Sequence, residues 1–156
     1  MFAGGRLRSL QHLTLNLRGV MTIDSLDFVA ELPGSLTHLG LELRRSGLGA
    51  HQGALAGMAR MPPRLVHLQL GFASTAASMS TLFAAVAGLP PALELLALNV
   101  AHNDITGEDL RQLRLPVGLA PTCQVMLQLV NTTSSEHDRL ELAQRMENCC
   151  NLSMVV

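Results

Sequence analysis

The chain has 156 residues and a formal net charge of -1, a length that suits one domain with a real core. Leucine fills 31 positions, all eleven Lys/Arg positions are Arg, and Trp and Tyr are absent. Without lysine there is no phosphate-loop lysine and no Schiff base, and near-zero charge with 3% aromatic content argues against a nucleic-acid partner.

No apolar run of secretory length follows Met1, so no export signal is read and a cytoplasmic chain is expected. The first element is a strand over 10–17, Leu10-Gln-His-Leu-Thr-Leu-Asn-Leu17, apolar at positions 1, 4, 6 and 8. Such alternation marks a strand with one buried face. The same pattern returns at 36–43, 65–72 and 93–100. Two looser copies follow: 122–129 keeps Val125, Leu127 and Leu129, and 149–156 keeps Leu152, Met154 and Val156. The starts are 26, 29, 28, 29 and 27 residues apart, so one unit recurs.

Between the strands the apolar spacing turns helical. It reads Ile23, Leu26, Val29, Leu32; then Leu55, Met58, Met61; then Leu82, Val86, Leu89; with the pairs Leu110/Leu113 and Leu142/Met146 after them. All but the last segment stop at proline: Pro33, Pro62-Pro63, Pro90-Pro91 and Pro121. Proline cannot continue a helix, and it pushes the residue before it into extended geometry. Ser134 or Ser135 is expected to cap the last helix, with Glu136 and Asp138 in its first turn. Strands joined by helical crossovers run parallel. The uncharged stretch from Leu68 to Leu93 is long enough to span a membrane. One strand plus one apolar helix explains it, so no membrane is expected.

A strand motif LxxLxLxL at a period of 26–29 residues, alternating with helical segments, resembles the leucine-rich-repeat family. The long period is most similar to the ribonuclease-inhibitor-like subclass. That subclass places Asn three residues after the last strand leucine and an apolar residue two further on, as in Val100-Ala-His-Asn103-Asp-Ile105. The equivalent positions elsewhere are Val20, Ser46, Thr75 and Thr132. The resemblance implies an α/β fold of one domain over 1–156: a right-handed solenoid of five to six repeats. A parallel sheet would line the concave side of the arc and helices the convex side. It implies that Asn103 bonds loop backbone between neighbouring repeats, and that the chain recognises another protein. Solenoids normally carry polar caps. Met1–Gly5 is too short for one, and the strand at 149–156 would turn Leu152, Met154 and Val156 toward an unfinished core. A fragment of a longer array, or ends covered by self-association or a partner, is therefore expected.

With positions 4, 6 and 8 inward, positions 3, 5, 7 and 9 form the outer sheet face. The partner-binding residues expected there are His12, Asn16, Arg18, His38, Glu42, Arg44, His67, Gln69 and Asn99. The later copies make the face more apolar through Leu95, Ala97, Ala101, Met126 and Val130. His12, His38 and His67 share one register and should form a ladder of imidazoles that resists simultaneous protonation. A linear ladder is poor tetrahedral geometry, and no Cys or carboxylate shares its column, so neither metal nor cofactor is expected.

No nucleophile elbow, HExxH, phosphate loop or paired-carboxylate motif appears. His102-Asn103-Asp104 reads as a loop and Glu136-His137-Asp138 as a helix start, so no enzyme is expected. The three cysteines lack CxxC spacing; Cys149 is expected to face inward and Cys150 outward. The first function expected is a protein-protein interaction module acting through the concave face. The alternative is an architectural fragment with no site of its own, and an enzyme is the remote third.

Overall fold

The computed structural model describes residues 9–48, 53–75 and 77–156. The Met1–Gly5 segment, expected to be too short for a cap, lies outside them. Six five-residue strands form one parallel sheet in sequence order: β1 His12–Asn16, β2 His38–Glu42, β3 His67–Gly71, β4 Leu95–Asn99, β5 Gln124–Gln128 and β6 Asn151–Val155. Each strand is positions 3 to 7 of its expected eight-residue segment. The register never slips: His12, His38, His67, Leu95, Gln124 and Asn151 stand in one row. Each unit places its side chains at the same height, so the columns of the outer face follow from the repeat.

Position 1 lies in the turn before the strand. Leu36, Leu65 and Leu93 are buried there, and the Leu36 and Leu65 N–H groups donate to the carbonyls of Pro33 (3.1 Å) and Pro62 (3.3 Å). In the last two units this slot moves by one residue. Thr122 and Cys149 are exposed, while Cys123 and Cys150 are buried. The expected orientation of Cys149 and Cys150 is thereby reversed. Both of their N–H groups donate to the Met146 carbonyl at the preceding helix end, and that tight turn swings Cys150 onto the core.

The crossovers change character along the chain. The first two hold 3-10 turns, Asp27–Glu31 and Ala56–Arg60. Their apolar residues recur every three positions, the period of a 3-10 helix rather than the 3.6 of an α-helix. The later ones hold α1 Met79–Ala85, continued by a 3-10 turn Val86–Gly88, then α2 Gly107–Gln112 and α3 Glu136–Met146. The stretch 68–93 is thus β3 followed by α1, and among the described residues no helix is long and apolar enough to cross a membrane.

Leu32, Met61 and Leu89 are extended (ψ 147°, 152° and 157°) ahead of Pro33, Pro62 and Pro90, as expected. α2 departs from the expectation: it ends at Gln112, well before Pro121. Its last carbonyls are taken instead by two arginines: Arg145 of α3 donates to Leu110 (2.7 Å), Arg111 (3.2 Å) and Leu113 (3.3 Å), and Arg114 donates to Arg111 and Leu113. Cations favour that end of a helix. Ser135 rather than Ser134 caps α3, in a reciprocal box with Asp138; Thr106 and Asp109 do the same for α2. The Ser135 hydroxyl and N–H hold the Asp138 carboxyl below the usual range.

After each strand from β1 to β5 one residue adopts a left-handed conformation: Gly19, Arg45, Ser74, His102 and Asn131, with φ between 53° and 73°. All five occupy position 10 of their units. Only the first is glycine, so four side chains accept strain of roughly 1–3 kcal/mol each. The loop ladder holds them: the N–H groups of Gly19, Ser74 and His102 donate to Arg44, Ala101 and Val130 of the next unit.

Asn103, 8% exposed, ties two units together as expected. Its Oδ1 accepts the Thr75 N–H (3.1 Å), and its Nδ2 donates to the carbonyls of Phe72 (2.9 Å) and Val100 (2.9 Å). The inward strand residues from Leu39 to Leu129 are buried with the crossover stripe, including Phe72, Phe83 and Met58. Leu13, Leu15, Leu152 and Met154 on the edge strands are half-buried. Val156, expected inward, is 66% exposed because it lies past the last ladder bond, Leu129 N–H to Val155 carbonyl.

Candidate functional site

One face of the sheet packs on the core and the other is open. On the open face three columns run across the strands, at positions 3, 5 and 7. The first holds the histidines. The His12 and His38 rings stack at 4.0 Å and 26°, while His67 meets His38 edge-on at 4.4 Å. The Thr37 hydroxyl lies 3.1 Å from the Gln11 carbonyl and 2.9 Å from His38 Nδ1, and so ties the His38 ring to the neighbouring unit. Burial, followed by repulsion from His12 and then His67, pushes the His38 imidazole below its ordinary value. Among the described residues no three His, Cys, Asp or Glu side chains converge to hold a metal ion.

The third column has a local duty. Asn16, Glu42 and Asn99 each accept, through a side-chain oxygen, the N–H two residues on: Arg18 (3.2 Å), Arg44 (3.0 Å) and Ala101 (3.1 Å). These bonds brace the turn into the left-handed residue. Three of the nine expected binding residues therefore also shape the loop. Position 9 is less open than expected. Arg18 is exposed and Arg44 half-buried, whereas Ala73 and Ala101 are buried, being small enough for the turn to fold over them.

Between the histidine column and the strand ends the face sinks into a hollow of about 400 Å³. Gly40, Gly71 and Ala97 make its floor; Thr14, Glu42, Gln69, Asn99, Met126 and Gln128 rise around it. Glu42, Gln69 and Asn99 are thus brought together. His12, His38 and His67 lie in the adjacent column, and Asn16, Arg18 and Arg44 do not line it. Thr14, Gly40, Gly71, Met126 and Gln128 complete it and were outside the expected set. Their signal is glycine at positions 5 and 7 of adjacent strands, where the unit otherwise places a side chain.

The catalytic-looking triplets are occupied structurally. His102 Nδ1 contacts Asn131 Nδ2 (3.2 Å), Asp104 accepts the Thr133 hydroxyl (2.8 Å), and Asn103 is committed to backbone. Glu136, His137 and Asp138 open α3. Among the described residues the cysteines are unpaired; burial raises Cys123 and pushes the Cys150 thiol up to about 11. Comparison of the chain with protein-family models, with curated proteins and with solved structures gave no match.

Proposed function

We propose that the chain is a leucine-rich-repeat solenoid of the ribonuclease-inhibitor-like type, and that it binds another protein through the concave face of its sheet. The reading is a binding module rather than an enzyme, and three unpaired cysteines fit a reducing, cytoplasmic setting. The observation that carries it is the hollow at Gly40, Gly71 and Ala97, an indentation ringed by polar groups on the uncovered side of the sheet. Concave surfaces with a few convergent polar groups are where partners anchor. Support for the family comes from the unbroken register, the recurring left-handed residue and the inter-unit bonds of Asn103.

Panning a random peptide library on the immobilised chain tests this. Enriched peptides should bind the wild type and be lost on Ala97→Arg, which fills the centre of the face. Equal binding to both chains would refute the proposal. A second reading, an architectural piece of a longer array, is favoured by the half-buried leucines on both edge strands. Those edges would accept a further repeat or a second copy. Sedimentation at rising concentration that shows growth beyond the monomer favours this reading.

A further inference from the structure

We propose that the hollow receives the guanidinium of an arginine from the partner protein, held by the Glu42 carboxylate. The inference rests on the open face being the binding surface. Among the groups that line the hollow, Glu42 carries the sole formal charge; its polar companions are three amides and a hydroxyl, set among Met126, Ala97 and three leucines. A half-buried negative group among neutral hydrogen-bonding side chains favours a cation.

The position of the carboxylate depends on Gly71. Glu42, Gly71 and Asn99 stand side by side in one column on β2, β3 and β4. A Cβ at residue 71 would lie 2.6 Å from Glu42 Oε2 and 2.7 Å from Oε1. The carboxylate therefore reaches across the glycine onto the floor of the hollow, into space that any other residue would fill. Two strand spacings, roughly 9–10 Å, separate the Glu42 and Asn99 backbones, and nothing from β3 rises between them.

Glu42 also has acceptor capacity to spare. Oε1 accepts the Arg44 N–H, while Oε2 has no hydrogen-bond partner and no cation within 4.0 Å among the described residues. An ionised carboxylate offers about four acceptor sites. The chain does not fill the hollow itself: Arg44 gives Glu42 only its backbone N–H. A guanidinium suits the hollow better than an ammonium. Its five donors lie in one plane, so it can face the carboxylate with one edge and reach the amide oxygens of Gln69 or Gln128 with the other.

The test uses individual peptides from the library panned on the wild-type chain. Their sequences should share an arginine. Glu42→Gln keeps an oxygen for the Arg44 N–H and removes only the charge, and it should weaken binding about tenfold or more. Replacing the shared arginine by citrulline, its neutral isostere, should weaken binding to the wild type equally, with little further loss on Glu42→Gln. Gly71→Ala, which displaces the carboxylate, should follow Glu42→Gln. Peptides lost on Ala97→Arg but held within twofold by Glu42→Gln would overturn the guanidinium while sparing the open face as the binding surface. Peptides that bind Ala97→Arg as well as wild type, or a library that yields none, would overturn both. A shared lysine in place of arginine would overturn the guanidinium in favour of an ammonium. If Glu42→Gln alters the unfolding midpoint, the citrulline peptide on the wild-type chain decides.

Discussion

Asn103→Ala should be among the more damaging single changes on the loop side of the sheet. The native side chain satisfies the Thr75 N–H at 3.1 Å and the carbonyls of Phe72 and Val100 at 2.9 Å each, from a residue 8% exposed. A buried hydrogen bond contributes about 1 kcal/mol net, and stranding its partner costs about 1–3 kcal/mol. Water admitted to the loop would relieve part of this, so three bonds give a loss of roughly 3 kcal/mol. For a chain of this length each kcal/mol lowers the midpoint by about 2–4 °C, hence a drop of roughly 6–12 °C. Urea unfolding followed by far-ultraviolet circular dichroism measures it directly. Asn103→Asp is the sharper control. It keeps the shape and the acceptor for Thr75 but turns a negative oxygen toward two carbonyls, so at neutral pH it should cost at least as much as alanine. A loss below about 1 kcal/mol for both variants would show that the bridge between the two units is dispensable.

Further outcomes follow from the histidines, cysteines and helix ends. His38 has its folded-state value lowered, so the folded chain holds fewer protons there than the unfolded one. Stability should therefore be level above about pH 6.5 and decline as pH falls from there toward the lowered value; His38→Gln should flatten that slope, and an unchanged slope would remove the ladder as its source. At pH 8, alkylation of the native chain should modify Cys149 fast and Cys123 and Cys150 only on unfolding, since burial raises both of the latter; three equal rates in a mass-spectrometric time course would contradict the core assignment. Arg145→Met should keep the packing of the stem but uncap α2, costing about 1–2 kcal/mol in a thermal or urea melt. A neutral result would mean that water replaces the guanidinium at Leu110 and Arg111.

The sheet was almost fully legible in the sequence because each strand repeats one strict alternation, and the register then follows from equal spacing of the inward leucines. Crossover type was legible in part. The intervals of three at Leu26/Val29/Leu32 and Leu55/Met58/Met61 already specify 3-10 turns, yet at low resolution they pass for helix. The end of α2 was not legible, because the Leu110 carbonyl is capped by Arg145, more than thirty residues away in sequence, and the local Arg114 completes the cap only once the chain has turned. The Cys149/Cys150 reversal was hidden for a similar reason: a shift of one residue exchanges inside for outside, and the tight turn after α3 decides it. At the candidate site, the polar side chains Glu42, Gln69 and Asn99 could be placed from the repeat alone. The hollow that gathers them could not, since it is made by what Gly40 and Gly71 lack.

A backbone amide NMR map of the chain titrated with a library-derived peptide locates the binding surface directly. The perturbed amides should cluster at Gly40, Glu42, Gln69, Gly71 and Ala97, on the open side of β2 to β4, and the shifts should collapse in Glu42→Gln. Perturbations confined to the crossover side, along α2 and α3, with those five residues unmoved, would rule out the open face as the binding surface.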